Sequence, residues 1–436
     1  MSTVIKLFSF KMLLYILVFV ILVWKRMWII YMKYIVLIGD GMADVPLREL
    51  GGKTPLQAAE KPGMNNLAQY GINGMVSTVP EDMTPESDTA NLALMGYDPK
   101  VYSRGRSPLE ALSMGIDMQP EDTAIRANIV ALSDDGLPYE QKIMLDHSAD
   151  EIPTEEARVL IEALNNRFGN ENLHFYTGVS YRHCLIWKDC PDFTDFTRPH
   201  DILGKRITEY LPSKPESVPM RRLMSESFDL LNNHPVNKNR AARGLKKANS
   251  LWLWSPGKKP SLPSFKEKTG LNASVVCAAD LIKGIGLCAG MRAPFIEGAT
   301  GNLNTNYKGK LETAIRELES GADLVYIHIE APDECGHRGE IDNKIKAIEL
   351  IDSQVLVPLL KYMDSHLQPY KILLLPDHPT PIYVRTHTID PVPFVVYSSN
   401  NKKSSLISIY DEQSGVCGGV YFDKGELLMD YFIKET

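Results

Sequence analysis

The apolar positions of this chain gather into three runs that end alike. Tyr34 to Gly39 (YIVLIG), Asp323 to Glu330 (DLVYIHIE) and Lys371 to Pro376 (KILLLP) each have the length of a strand and little polar alternation. Strands buried on both faces of a parallel sheet read this way. Each run leads into an acid: Asp40, Asp333 and Asp377. Histidines follow two of them, His337 four residues after Asp333 and His378 directly after Asp377, with His387 nine residues further on. Open α/β sheets bind ligands at the carboxyl ends of their strands. Carboxylate with imidazole is the donor mix that suits zinc or manganese. Asp333 and His337 face one way if their turn is helical. The pattern predicts a dinuclear metal site, because packing alone gives no reason for three buried runs to end in this manner.

Other elements follow from periodicity and stop signals. Met64–Tyr70 reads as a short helix closed by Gly71. Ser87 to about Met95 reads as a helix stopped by Gly96, with Ser87 or Asp88 as its cap. Ser87 then sits where free N–H groups and the positive dipole end stabilise a phosphorylated serine; a plain capping role stays open. Thr123–Leu132 is a strand, and an amphipathic helix over 153–168 starts at Thr154 with Glu155 and Glu156 in its first turn. His174–Trp187 makes one or two strands containing Arg182-His183, a dipeptide better suited to a polar cleft than to a core. The stretch 234–260 has seven Lys/Arg and no acid. Within it Leu251–Trp254 reads as a buried strand and the basic run as a solvated helix face. The stretch 304–310 (NTNYKGK) opens a helix that runs to Ser320. The metal strands thus come from residues 33–122 and 299–436, and 123–298 form an inserted domain.

Charge and cysteines narrow the class. Lys+Arg 47 against Asp+Glu 54 leaves a net charge of -7, which gives no general drive toward nucleic acid. Six cysteines without a CxxC pair read as reduced thiols of a cytoplasmic protein. Met12–Trp24 is strongly apolar but shorter than the roughly 20 residues of a spanning helix, and no small-residue cleavage site follows. Residues 1–32 are therefore expected to be an over-extended start, with translation beginning near Met32; a membrane anchor is the alternative.

Several motifs fall together: IGDGMAD at 38–44, TPESDTANLALMGYDP at 84–99, RGRSPLEA at 104–111, SYRH at 180–183, DECGH at 333–337, and Asp377-His378 with His387. With them the chain resembles the archaeal-type branch of the cofactor-independent phosphoglycerate mutases, in the alkaline phosphatase superfamily. The resemblance implies an α/β, three-layer, alkaline-phosphatase-like core, discontinuous in sequence, with a mostly parallel central sheet and an inserted α+β domain. It implies one metal held by Asp333, His337 and His387, and a second by Asp40, Ser87, Asp377 and His378. Both are divalent ions, manganese or zinc, with magnesium as a further option, and no 2,3-bisphosphoglycerate is needed. Arg126, Arg182, His183 and Lys310 match the family's substrate groups, and Asp146 or His147 is the proton acceptor to expect. The implied reaction interconverts 3-phosphoglycerate and 2-phosphoglycerate through a phosphoserine at Ser87. The substrate is thus a small phosphorylated carboxylate. One departure stands out: the branch often has Ser-Ala-Gly where this chain has Ser148-Ala149-Asp150. It keeps two alternatives open, a phosphotransferase acting on another small alcohol such as homoserine, and a metal-dependent phosphatase.

Overall fold

The computed structural model describes residues 32–191, 193–366, 368–402, 404 and 406–434. The expectation for the apolar leader lies outside them. No helix among the described residues is long and apolar enough to cross a membrane. In chain order the strands are β1 (Lys33–Gly39), β2 (Ile72–Val76), β3 (Asp122–Leu132), β4 (Met144–Asp146), β5 (Leu173–Tyr176), β6 (Arg182–Lys188), β7 (Ser250–Lys258), β8 (Ala273–Val276), β9 (Leu324–Ile329), β10 (Tyr370–Leu375), β11 (Val392–Ser398) and β12 (Val420–Phe422). They fall into two compact units. The first takes the described residues up to Ser77, Thr269–Val276 and everything from Pro294; the second takes Thr78–Lys268 and Cys277–Ala293.

The first unit is built on a sheet in the order β12-β2-β11-β10-β1-β9-β8. The pairs β10-β1, β1-β9 and β9-β8 are parallel, and β11 runs antiparallel to both its neighbours. All three apolar runs are central strands, and Ile35–Ile38, Leu324–Ile329 and Ile372–Leu375 are buried without exception. An uninterrupted apolar strand suits a sheet covered on both faces, since neither side chain direction meets water. Register then decides where the chemistry falls. Gly39 is opposite Ile329 and Ile38 opposite Leu375, so the three strands stop at the same edge.

The second unit is an antiparallel sheet in which β3 pairs with β6, with β7 along most of its length, and with β4 near its end, while β5 pairs with β6. Helix Thr154–Phe168 buries Ala157, Leu160, Ile161 and Leu164, the i, i+3, i+4, i+7 stripe that its sequence carries.

Three expectations need correction. Residues 78–122 cluster with the second unit and not with the metal strands. The helix Ser107–Ser113 lies against helix Asp280–Cys288 so closely that a Cβ on Gly284 would fall 2.2 Å from the Leu109 carbonyl oxygen. The short run Ala273–Val276, expected in the insert, is the edge strand of the first unit's sheet, parallel to β9. The basic stretch after His234 is not wholly a solvated face: Arg240 is 1% exposed, with Nη1 2.6 Å from Glu156 Oε2. An internal salt bridge of this kind is invisible to a count of local charge.

Candidate functional site

At the shared edge of β1, β9 and β10, each strand hands its acid to a different local device. After β1 the chain turns through Gly41 at φ 62, a conformation that only glycine adopts without strain. A Cβ there would also lie 2.5 Å from Thr380 Oγ1 and 2.7 Å from Asp333 Cα. The turn aims the Gly41 N–H at Asp377 Oδ1 (3.2 Å), which also accepts from the His378 N–H (3.0 Å). Fixing Oδ1 in this way leaves Oδ2 to face the site. After β9, helix Ala331–Arg338 puts Asp333 and His337 on one side, as their spacing predicts.

Two groups of donors result. Asp333 Oδ2 is 3.3 Å from His337 Nε2, Asp333 Oδ1 is 3.3 Å from His387 Nε2, and the two imidazole Nε2 atoms are 2.9 Å apart. His337 Nδ1 is 3.0 Å from the Arg385 carbonyl, an acceptor that keeps the proton on Nδ1 and turns Nε2 inward. In the second group His378 Nε2 is 3.5 Å from Asp40 Oδ1 and 3.6 Å from Asp377 Oδ2. Among the described residues, the groupings of suitable donors are Asp333–His337–His387, Asp40–Asp333–His378 and Asp40–His328–Asp377.

The donor set fits cations. Bonds of about 2.1 Å in a tetrahedral arrangement put neighbouring donors roughly 3.4 Å apart, close to most of these separations. Asp40 Oδ1 is buried without a hydrogen-bond partner. Asp40, Glu330, Asp333 and Asp377 are all buried, and buried like charges are costly unless they meet protons or metals. In the metal-free chain burial, then Asp377 and Asp333, push the Asp40 carboxyl well up. Burial also opposes charge on Asp333, but His337 and His387 outweigh it and hold that carboxyl well below the usual range. For its part His337, beside Asp333, is pushed up to about 9. Carboxylates and imidazoles here take each other's charge where a metal would take both.

Ser87 belongs to the second unit. It is the first residue of helix Ser87–Leu94, one place later than a cap; Glu86 is the capping residue and makes no side-chain cap bond. Glu86 Oε2 accepts from Arg106 Nη1 at 2.9 Å. Arg106 in turn lines a cavity of about 430 Å³ within this unit, together with Arg126, Arg182, His147, His183 and His200. Arg126 is held by Glu110 (Nε to Oε2 2.7 Å) and lies 4.5 Å over the Trp254 ring. His183 is 5% exposed. Its Nδ1 accepts from the Gly178 N–H at 3.1 Å, so the ring proton is on Nε2, and that atom is buried without a partner. Burial pushes this imidazole down to about 3.

Comparison with known proteins now bears on this geometry. A family model described as 2,3-bisphosphoglycerate-independent phosphoglycerate mutase matches residues 68–237. A protein of that name from Methanosarcina barkeri is 46% identical over 404 residues, 92% of this chain and 100% of the relative. A probable one from Geobacter sulfurreducens is 46% identical over 402 residues, again 92% and 100%. The chain belongs to the 2,3-bisphosphoglycerate-independent phosphoglycerate mutase family. Among solved structures, the cofactor-independent phosphoglycerate mutase of Thermoplasma acidophilum superposes with a TM-score of 0.64 at 29% identity, covering 92% of this chain and 99% of that one. A Pyrococcus horikoshii protein gives 0.75 at 27%, covering 93% and 98%.

The remaining residues expected from the mutase resemblance fall as follows. Lys310 does not line the second unit's cavity. It is fully buried in the first unit, with Nζ 2.6 Å from Glu330 Oε2 and 2.9 Å from the His328 carbonyl. Asp146 accepts from Ser148 and from the Asp150 N–H, and Lys246 Nζ is 3.0 Å away. Burial opposes its charge, but these donors hold it far below the ordinary carboxylate range. The departure at Asp150 has a local cause. Ala149, Asp150 and Glu151 all have positive φ (49, 56 and 50), the region glycine favours. Asp tolerates it better than most residues, and here Asp150 Oδ1 is 2.5 Å from Lys246 Nζ while Oδ2 accepts the Lys246 N–H.

Sequence reasoning missed His328, Glu330, Arg106, His200, Thr380 and Lys344. The first two stand two residues apart in an otherwise apolar strand run, a period-2 polar pair that marks one face. Arg106 was inside a quoted motif. Thr380 Oγ1 donates to Asp333 Oδ1. Buried Lys344 joins Asp44 Oδ2 (2.8 Å) and the Thr380 carbonyl (2.8 Å), pinning the loop that carries His387. No sequence signal marks Thr380, Lys344 or His200.

Proposed function

We propose that this chain interconverts 3-phosphoglycerate and 2-phosphoglycerate, with Ser87 carrying the phosphoryl group between the two hydroxyls. The observation that carries the reading is the complete carboxylate–imidazole donor set at one sheet edge, in a chain of this family. Two divalent ions, manganese, zinc or magnesium, would be held by Asp333, His337 and His387 and by Asp40, Asp377 and His378 with Ser87; they supply charge neutralisation and make a hydroxyl nucleophile accessible at neutral pH.

The chain's own residues divide the remaining work. The Ser87 oxygen attacks phosphorus as the bond from phosphorus to the C3 oxygen breaks, and the proton that Ser87 gives up ends on that C3 oxygen, so glycerate is left with both hydroxyls protonated. The phosphoserine then lies at a helix N-terminus, where N–H groups and dipole favour an anion. Arg106, Arg126 and Arg182 suit bidentate contacts with carboxylate and phosphate. His183 offers its Nε2–H to the same anion. His147, which lines the cavity, is the better placed acceptor for the proton of the 2-hydroxyl, because Asp146 is occupied by Lys246. That hydroxyl attacks the phosphoserine as the bond from phosphorus to the Ser87 oxygen breaks, and a proton matching the one His147 took returns to Ser87. The phosphoryl group returns to the molecule it left, so no bisphosphoglycerate donor is required. Six free cysteines support a reducing, cytoplasmic setting.

The test couples residues 32–436, with manganese and 3-phosphoglycerate, to enolase. Phosphoenolpyruvate formation supports the mutase. Release of inorganic phosphate alone replaces it with a phosphatase, and phosphorylation of homoserine without mutase turnover replaces it with a kinase-like enzyme.

A further inference from the structure

The imidazole of His328 has no place in the ligand set drawn from the family, yet it is as fully enclosed as Asp377 and His378 at the same strand edge. It is fully buried on β9, and neither ring nitrogen has a hydrogen-bond partner. Its Nε2 is 3.5 Å from Asp40 Oδ2 and 3.6 Å from Asp377 Oδ2. On the far side Nδ1 is 3.5 Å from Glu330 Oε1, and Glu330 Oε2 is paired with Lys310. We propose that His328 Nε2 is a donor to the cation held by Asp40 and Asp377, and that Glu330, steadied by Lys310, positions the ring. The inference rests on reading the strand edge as a metal centre.

Distances decide between this and a simple buried ion pair. An imidazolium bonded to a carboxylate closes to about 2.7–2.9 Å. In a fully packed interior, two carboxylate oxygens both stop at 3.5–3.6 Å. Donors sharing one cation stand roughly 3.4 Å apart. His378 Nε2 stands at the same 3.5 and 3.6 Å from these acids, but against the other Asp40 oxygen, Oδ1, and the same Asp377 Oδ2, so Asp40 turns one oxygen to each imidazole while Asp377 Oδ2 faces both. The far side agrees. A ligating histidine commonly gives its other N–H to a carboxylate, which fixes the tautomer. Glu330 is that carboxylate, and Lys310 keeps it ionised and in place.

The experiment uses the full chain loaded with cobalt. Proton NMR counts hyperfine-shifted ring N–H resonances, and competition with a chelator gives the affinity of each ion. The expected result is two ions per chain and four shifted imidazoles, His328, His337, His378 and His387. In His328→Gln one resonance disappears and one ion weakens at least tenfold; in Glu330→Gln the four remain while the same ion weakens by about tenfold or more. Three shifted imidazoles in the unaltered chain overturn the proposal without recourse to any variant. So does a folded His328→Gln chain that binds both ions with unchanged affinity. Failure of the unaltered chain to bind cobalt removes the metal centre itself, and this inference with it.

Discussion

In the first unit the imidazoles of His328 and His337 lie among carboxylates; in the second, His183 and His200 lie in a cavity lined by arginines. The consequences run in opposite directions. Burial disfavours charge on His328, yet Asp377 and Glu330 win and raise it to about 9. Asp333 raises His337 to about 9 as well. In the cavity burial wins: His183 falls to about 3 against the opposing backbone contact at Ser180, and His200 is lowered by burial, which Asp201 opposes and His147, Arg198 and Arg126 reinforce. The same side chain is thus held toward its charged form in one place and toward its neutral form in the other. Fold supplies the enclosure; the neighbours' charge supplies the role.

The sharpest way to break this division is Ser87→Ala. The variant should lose mutase turnover by a factor on the order of 10⁴ or more, the scale seen when a nucleophile is removed. The carboxylate–imidazole groups of the first unit are untouched, so the chain should still bind divalent metal, at least in part. Turnover that survives the substitution takes Ser87 out of the reaction.

Removing metal attacks the other side of the comparison. Chelation should abolish turnover and lower Tm, because ions bound only by the folded chain stabilise it by mass action, about 4 kcal/mol at a thousandfold excess over Kd. Metal uptake should also strengthen with rising pH, since His337 must give up the proton that Asp333 holds on it. A calorimetric titration at pH 6 and pH 8 that shows equal affinity contradicts the assignment.

Substituting Arg182 should do less. Arg182→Ala leaves the donor set complete and removes one cation from the cavity. A loss of about 2–3 kcal/mol of charge-assisted binding corresponds to roughly 30–150-fold in kcat/KM. Manganese stoichiometry should not change. An equal loss of metal would mean that the two sets of residues are not separable in the way their charges suggest.

How much of this was legible beforehand follows the same physics. The three central strands announced themselves because a strand buried on both faces has no polar positions to blur it, and the candidate donors come immediately after its end. That Asp40, Asp333, Asp377 and His378 meet at one sheet edge was readable for that reason. His328 was hidden by the same rule, since it sits inside a run that reads as core. The edge strand β8 was missed because four apolar residues carry no information about which sheet they join. Arg240 was read as solvated because its partner Glu156 is 84 residues away in the chain. The cavity was partly visible, since Arg182-His183 in an apolar stretch is hard to bury; His200 gave no local sign.

The smallest effect concerns stability and separates the units by sign. His183 titrates near 6.5 when unfolded and at about 3 when folded. Between those values the unfolded chain binds more protons, so stability rises with pH there. It is present above pH 6.5 and lost as the pH falls toward 3. At pH 5 the loss from this one ring is about 2 kcal/mol at most. His328 and His337 act oppositely in the metal-free chain. Their raised values give stability that is complete below pH 6.5 and is lost as the pH climbs through about 9. Urea unfolding of the chelated protein across pH 4.5–9.5 should therefore lose stability at both ends. His183→Asn should flatten only the acidic limb, while saturating manganese should act on the alkaline limb, because a bound ion replaces the protons on those rings. If His183→Asn leaves the acidic limb as steep as before, the ring is not held neutral in the folded chain, and the contrast between the two sets of imidazoles fails at its weaker half.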